Sequence, residues 1–256
     1  MSLLWPRAAR SKLAAAQRAV LRTRHARLAL QEAHARVLEA GNVAVAGGGA
    51  SGGAGRAKRA LASRRLRRLS LLSAELRHFV GAVESHVGGE VHGHAMHALN
   101  ARLRARDDSY SSSSGGDGSN SSSSSGNPGA VRPRDLYELR DAFVAHASDA
   151  HAACLLSPRD ASLLRAVDRT LQLALDFRAA MRRSTPETLL TDAPLYAAAQ
   201  GVHARFTVAA REACARLRDA ARDVGGALGG VDPRRAAALL RQLDYNGYYL
   251  SSAEVA

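Results

Sequence analysis

Histidines form the group in this sequence that most resembles a metal site. His92, His94 and His97 fall within six residues, and His86 lies just before them. On a helix only His94 and His97 share a face, and no Cys, Asp or Glu supplies a third or fourth zinc ligand at a typical spacing. We therefore interpret these histidines as polar residues on a helix surface, and we expect neither a metal nor another cofactor.

The two cysteines, Cys154 and Cys214, are the candidate nucleophiles. Each lies in an Ala-rich helical pattern without a neighbouring cation or helix N-terminus that would lower the pKa of the thiol. A glycine-rich phosphate loop needs a strand before it, and the sequence predicts no strands. We expect a protein that is not an enzyme and that has no small-molecule substrate.

Basic residues concentrate in the first part of the chain, where residues 1–106 carry 19 Lys and Arg against 5 Asp and Glu. Their densest run could attract phosphates, but leucines interleave with it at the spacing of a helix core and it contains no aromatic residue for base stacking. The pattern favours a solvated or protein-binding helix face over a nucleic-acid site. The run consists of Arg56, Lys58, Arg59, Arg64, Arg65, Arg67 and Arg68.

Aromatic residues cluster only near the end of the chain, where Tyr245, Tyr248 and Tyr249 follow a helical stripe of leucines. Asn246 and Gly247 tolerate the left-handed conformation that ends a helix. We predict a terminal helix whose tyrosines pack its end onto the rest of the protein. Direct contact of the tyrosines with a partner is the alternative.

The elements that would position these residues are helices. Ala and Leu dominate the apolar residues, and few runs are β-branched or aromatic, so the composition predicts an all-α, elongated helical bundle with long amphipathic helices. No apolar run is long enough to cross a bilayer. Helices are predicted over about 8–40, 56–87, 91–103, 133–154, 160–183 and 195–224, with a last one beginning at the cap Asp232 and Pro233.

Glycine and serine mark the predicted interruptions. We expect Gly41 to end the first helix, residues 41–55 to form a flexible Gly-rich linker, and the Ser/Gly-rich insertion 109–130 to be disordered. Gly88 and Gly89 should weaken or kink the second helix. The apolar stripes are expected to include Leu21 and Leu28 in the first helix, Leu61 in the second, Met96 in the third and Val208 in the sixth.

Four motifs resemble, in order, the C-terminal half of the gamma-tubulin complex components. They are Leu4-Trp5, the block 76–80 followed by Glu90-Val91, the block Cys154-Leu155-Leu156, and the terminal block 243–249. The last is the most specific of the four. The run from Cys154 to Leu164 looks most like the component 3 type, with components 2 and 4 close behind.

The resemblance implies a helical domain that binds gamma-tubulin and other gamma-tubulin complex components and acts in microtubule nucleation. It also implies a cytoplasmic, cytoskeletal location at microtubule-organising centres and spindle poles. The family's N-terminal domain has no counterpart here, so residues 1–256 look like a partial C-terminal gamma-tubulin-binding domain. The family-motif or partner-binding candidates are Leu243, Asp244, Tyr245, Asn246, Tyr248, Tyr249, Arg64, Arg65, Arg67 and Arg68.

Two other interpretations of the sequence stay open. In one, the chain is a basic helical module that binds nucleic acid or an anionic membrane through the run from Arg56 to Arg68. In the other, it is a decayed partial copy of the family without a partner of its own.

Overall fold

A computed structural model describes residues 6–46, 53–104, 135–156, 161–222, 232–245 and 247–251. Within these ranges the chain forms helices and no strands, which confirms the predicted all-α class. None of the described helices is long and apolar enough to cross a membrane. The helices are α1 (Arg7–Ala46), α2 (Gly53–Gly88), a π-helical segment (Gly89–Ala95), α3 (Met96–Arg104), α4 (Leu136–Ala153), α5 (Ala161–Met181), α6 (Pro186–Leu189), α7 (Ala193–Arg222), α8 (Pro233–Leu243) and α9 (Tyr248–Ser251).

Gly41 does not end the first helix, contrary to the sequence prediction. Helix α1 continues to Ala46 and α2 begins at Gly53, so the predicted linker 41–55 is helical at both of its ends. A Cβ on Gly41 would lie 3.0 Å from a methyl group of Leu66, so the glycine lets α1 and α2 approach closely. The residues between the two helices, and the Ser/Gly-rich insertion 109–130, lie outside the described ranges.

Two helix starts show how local sequence sets the boundaries. At α8 the carboxylate of Asp232 accepts a 2.9 Å hydrogen bond from the backbone N–H of Arg234, and Pro233 occupies the first turn, as predicted. At α4 the expected start at Pro133 is wrong. Asp135 caps this helix instead by accepting 2.8 Å bonds from the N–H groups of Tyr137 and Glu138.

The chain divides into two compact units, the first comprising Met1–Arg18 and Val87–Cys154. In this unit the π-helical segment packs against α3 and α4. Val87, Val91, Ala95 and Leu99 are buried at intervals of four residues, an interval that drifts by about 40° per step in a regular α-helix. The wider turn of the π-helical segment opposes this drift and keeps the four residues on one face. Met96 consequently lies outside that face and is exposed, against the prediction.

The second unit comprises Ala19–His86 and Leu155–Ala256, and in it α7 packs against α5, α8 and α9. Phe79, Phe177 and Phe206 are the largest fully buried side chains among its described residues. Alanine takes many of the remaining buried positions, including Ala29 and Ala33 in α1. The sequence prediction assigned too many buried positions to large apolar residues, because alanine takes many of these positions instead. The predicted core residues that are exposed are Leu21, Leu28, Leu61 and Val208.

Candidate functional site

The terminal motif forms a turn between α8 and α9. Asp244 is buried, and its carboxylate accepts hydrogen bonds from the N–H groups of Tyr249, at 2.9 Å, and Leu250, at 3.2 Å. Gly247 makes the turn possible because its φ of 71° lies in the left-handed region, where a Cβ would be strained. Asp244 thus caps α9, and its two hydrogen bonds hold the ends of the turn together. Asn246 lies outside the described ranges.

Tyr249 and Leu243 anchor this motif to the core of the second unit, and both are buried. The ring of Tyr249 meets that of Phe206 edge to face at 6.3 Å between centroids, and Phe206 meets Phe79 in the same way at 5.9 Å. Burial, with a further contribution from the charge of Glu75, raises the pKa of the Tyr249 hydroxyl. The tyrosine is therefore a neutral core residue at physiological pH.

Tyr245 and Tyr248 behave differently from Tyr249, with exposed fractions of 78% and 49%. The ring of Tyr245 lies beside that of His78, at 6.3 Å between centroids. The same histidine places Nε2 3.3 Å from the carbonyl oxygen of Leu243. His78 thereby brings together the two motifs 76–80 and 243–249, which are far apart in sequence.

The four candidate arginines of α2 divide into two pairs. Arg65 donates 3.0 Å hydrogen bonds to the carbonyl oxygens of Leu190 and Thr191, and its guanidinium lies 5.0 Å from the ring centre of Tyr196. Arg68 donates to the hydroxyl of Tyr196 at 3.3 Å. These two side chains are engaged in holding α2 against the start of α7. The side chains of the other pair, Arg64 and Arg67, are exposed.

An exposed stripe of α2 connects the second arginine pair to the terminal motif. Its residues follow one another at intervals of three and four, the spacing of a single helix face. They combine cationic and apolar side chains, including Leu71 with 57% of its surface exposed. We name this stripe, together with the adjacent tyrosine, the α2 surface. It consists of Arg64, Arg67, Leu71, Ala74, His78 and Tyr245.

Among the described residues no group of three or more possible metal ligands occurs, and the side chain of His92 lies outside the part that is described. His94 is exposed and lies 3.3 Å from the carboxylate of Glu90, one helical turn before it. His97 is exposed as well. His86, which belongs to the second unit, differs from the predicted surface histidines because it is buried.

Neither cysteine has the environment of a nucleophile. Cys154 and Cys214 are buried free thiols, and burial raises the pKa of each to about 12. In Cys214 the charge of Asp244 adds to this effect. Both thiols are protonated at physiological pH, in agreement with the absence of activating neighbours in the sequence.

Sequence reasoning missed several polar residues that the fold brings together. Glu75 of α2 accepts a hydrogen bond from His203 of α7 at 3.1 Å. Arg27 of α1 forms a 2.7 Å ion pair with Glu84 of α2. No local motif marks these residues, since each pair joins positions more than fifty residues apart.

Comparison with known proteins gives one match. A family model described as the gamma tubulin complex component C-terminal domain matches residues 7–249. No curated protein and no solved structure matches the chain.

Proposed function

Because the chain belongs to the gamma-tubulin complex component family, whose C-terminal domain model spans residues 7–249, we propose that it binds gamma-tubulin directly. The family points to a structural role in the gamma-tubulin complex and in microtubule nucleation. The chain would act by holding gamma-tubulin in position, which requires a rigid contact surface and no catalytic group. Its basic first half would raise the rate of encounter with an acidic partner surface.

We assign the contact to the α2 surface. This assignment rests on His78. It belongs to the motif 76–80, which resembles the family, and it contacts Leu243 and Tyr245 of the terminal motif 243–249. Tyr245 is exposed although its neighbours in the motif, Leu243 and Asp244, are buried. An exposed aromatic ring on a rigid, capped turn is a typical anchor of a protein interface, where tyrosine and arginine are enriched.

The test is capture of purified gamma-tubulin by immobilised residues 1–256 at low salt, with circular dichroism to show that each variant is folded. Tyr245→Ala combined with Arg67→Ala should reduce capture at least tenfold, because both side chains belong to the proposed contact. Val208→Ala is the matched control, since Val208 is an exposed apolar side chain on α7. Failure of the folded wild-type chain to capture gamma-tubulin would refute the proposal.

Further assignments rest on the same family membership. We propose contacts with other gamma-tubulin complex components and a location at microtubule-organising centres and spindle poles. Within the family we propose the component 3 type, on the run from Cys154 to Leu164. Tagged expression in cells with a gamma-tubulin marker tests the location, and absence from gamma-tubulin foci would contradict it.

The structure weakens the interpretation as a nucleic-acid or membrane module. One of the arginines that would form its phosphate site, Arg65, binds two carbonyl groups within the protein instead. Salt-sensitive binding of RNA or anionic vesicles, without capture of gamma-tubulin, would support that interpretation over ours.

A further inference from the structure

An open groove of about 450 Å³ lies between α1 and α2 in the second unit. From α1 it is lined by Arg27, Leu30 and Gln31, and from α2 by Arg77, His78 and Gly81 together with Ala74. On each helix the lining residues follow the spacing of three and four that places side chains on one face. The groove adjoins the α2 surface, because His78 and Ala74 belong to both.

Cationic groups predominate in this groove. Arg27 and Arg77 are both exposed, and the lining contains no Asp or Glu. One guanidinium nitrogen of Arg27 binds Glu84 at 2.7 Å, but a guanidinium has five N–H donors and most of them remain available. The charge of Arg77 reaches His34, where burial first and this arginine second lower the pKa of the imidazole.

The shape of the groove suits a polypeptide segment. Leu30 is fully buried, so a partner would contact the other lining residues. Ala74 and Gly81 contribute little volume to the α2 wall, and a Cβ built on Gly81 would meet no atom within 4 Å. The space beside Gly81 can therefore take an added side chain without displacing atoms of the protein.

We propose that this groove receives an acidic segment of the protein partner, whose carboxylates are bound by Arg27 and Arg77. Guanidinium groups match carboxylates in charge and in planar geometry. A polypeptide is favoured over RNA because the family match points to a protein partner, and because the lining contains no Phe, Tyr or Trp and only the ring of His78 for base stacking. The inference rests on the proposed function in taking gamma-tubulin as the partner.

Gly81 allows this inference to be tested without removing any existing contact. Gly81→Glu places a carboxylate inside the groove, whereas Gly81→Ala leaves the charge of the groove unchanged. Gly201→Glu is the matched control, because Gly201 is also a helical glycine with open space around its Cβ position. The dissociation constant for gamma-tubulin should rise at least tenfold in Gly81→Glu, rise less in Gly81→Ala, which adds volume without charge, and stay within twofold of wild type in Gly201→Glu. Circular dichroism verifies the folding of all three variants.

The outcomes separate this inference from the proposed function. If wild type binds gamma-tubulin and Gly81→Glu binds it equally well, the groove inference is overturned and the proposed function stands. If wild type does not bind gamma-tubulin, the proposed function fails, and a fluorescein-labelled peptide of alternating glutamate and leucine then tests the groove alone. Binding that Gly81→Glu abolishes supports an acidic-peptide site. The inference is overturned if the peptide does not bind, or if Gly81→Glu abolishes binding of an oligoribonucleotide but not binding of the peptide.

Discussion

The carboxylate of Asp244 accepts a 2.9 Å hydrogen bond from the backbone N–H of Tyr249, five residues further along the chain. This bond closes the turn between α8 and α9 and directs the ring of Tyr249 onto Phe206. The same turn leaves Tyr245 on the outside, beside His78. The buried carboxylate of Asp244 thus holds the terminal motif so that Tyr249 packs in the core while Tyr245 stays at the surface.

Removal of the Asp244 cap should destabilise the protein. Asp244→Ala leaves the buried N–H group of Tyr249 and the partly buried N–H group of Leu250 without their acceptor, at a cost of about 2 kcal/mol. Asp244→Asn keeps one acceptor oxygen and should cost less. Urea unfolding followed by circular dichroism measures both variants. Asp219→Ala, at an exposed aspartate of α7, is the control, and an equal loss in that variant would contradict the capping role.

The tyrosines of the terminal motif should differ sharply in their contribution to stability. Tyr249→Ala empties a buried site against Phe206 and should lower the free energy of unfolding by about 3–4 kcal/mol. Tyr245→Ala removes a side chain that is 78% exposed and should change it by less than about 0.5 kcal/mol. Thermal unfolding of the two single variants makes the comparison. Similar losses of stability in both variants would show that Tyr249 is not the main anchor of the motif.

Arg65 should matter for stability, and its neighbour Arg64 should not. Arg65→Ala leaves the carbonyl oxygens of Leu190 and Thr191 without a donor, which we expect to cost about 1–2 kcal/mol. Arg65→Lys should recover only part of this loss, since an ammonium group does not reproduce the planar contact with Tyr196. Arg64→Ala is the control in urea unfolding, because Arg64 is exposed. A fully stable Arg65→Ala variant would contradict the assignment.

Acid should destabilise the protein through His34. Burial and the charge of Arg77 lower the pKa of His34 below its usual 6.5, so the folded state binds fewer protons than the unfolded state. The stability that neutral His34 provides is present above pH 6.5 and is lost as the pH falls from there through the folded-state pKa. The melting temperature should therefore fall between about pH 7 and pH 5.

His34→Gln should reduce this fall without abolishing it. A second histidine, His151 in the first unit, also has a lowered pKa, because of burial and the charge of Lys12. The double variant His34→Gln and His151→Gln should show the weakest dependence between the same two pH values. An unchanged pH dependence in the double variant would exclude the two histidines as its source.

Both thiols should resist modification in the native protein. A pKa of about 12 leaves almost no thiolate on Cys154 or Cys214 at neutral pH, and both side chains are buried. A chromogenic disulfide reagent should react with neither thiol in buffer and with both in strong denaturant. Rapid reaction of one thiol in buffer would show that its surroundings open locally.

The sequence predicts the helical class and the cap at Asp232 because both depend on residues close together in the chain. It misplaces the end of α1, because the reason for Gly41 is a contact with Leu66 on another helix. It also misplaces Met96, since the π-helical turn that changes the buried face leaves no signal in composition. In the site, the exposure of Tyr245 and the burial of Tyr249 depend on the conformation of the turn and on contacts with the distant His78. Neither can be predicted from a local sequence pattern.

The π-helical segment also determines which sequence changes the first unit can accept. Gly88, Gly89 and Gly93 each have open space where a Cβ would lie, so side chains can be added there without collision. A π-helical turn also holds more residues than an α-helical turn. Deletion of one residue between Val91 and Ala95 would bring the four buried residues to intervals of four, three and four, which share one face of a regular α-helix. The segment thus carries one residue more than a regular α-helix needs to keep Leu99 on its buried face.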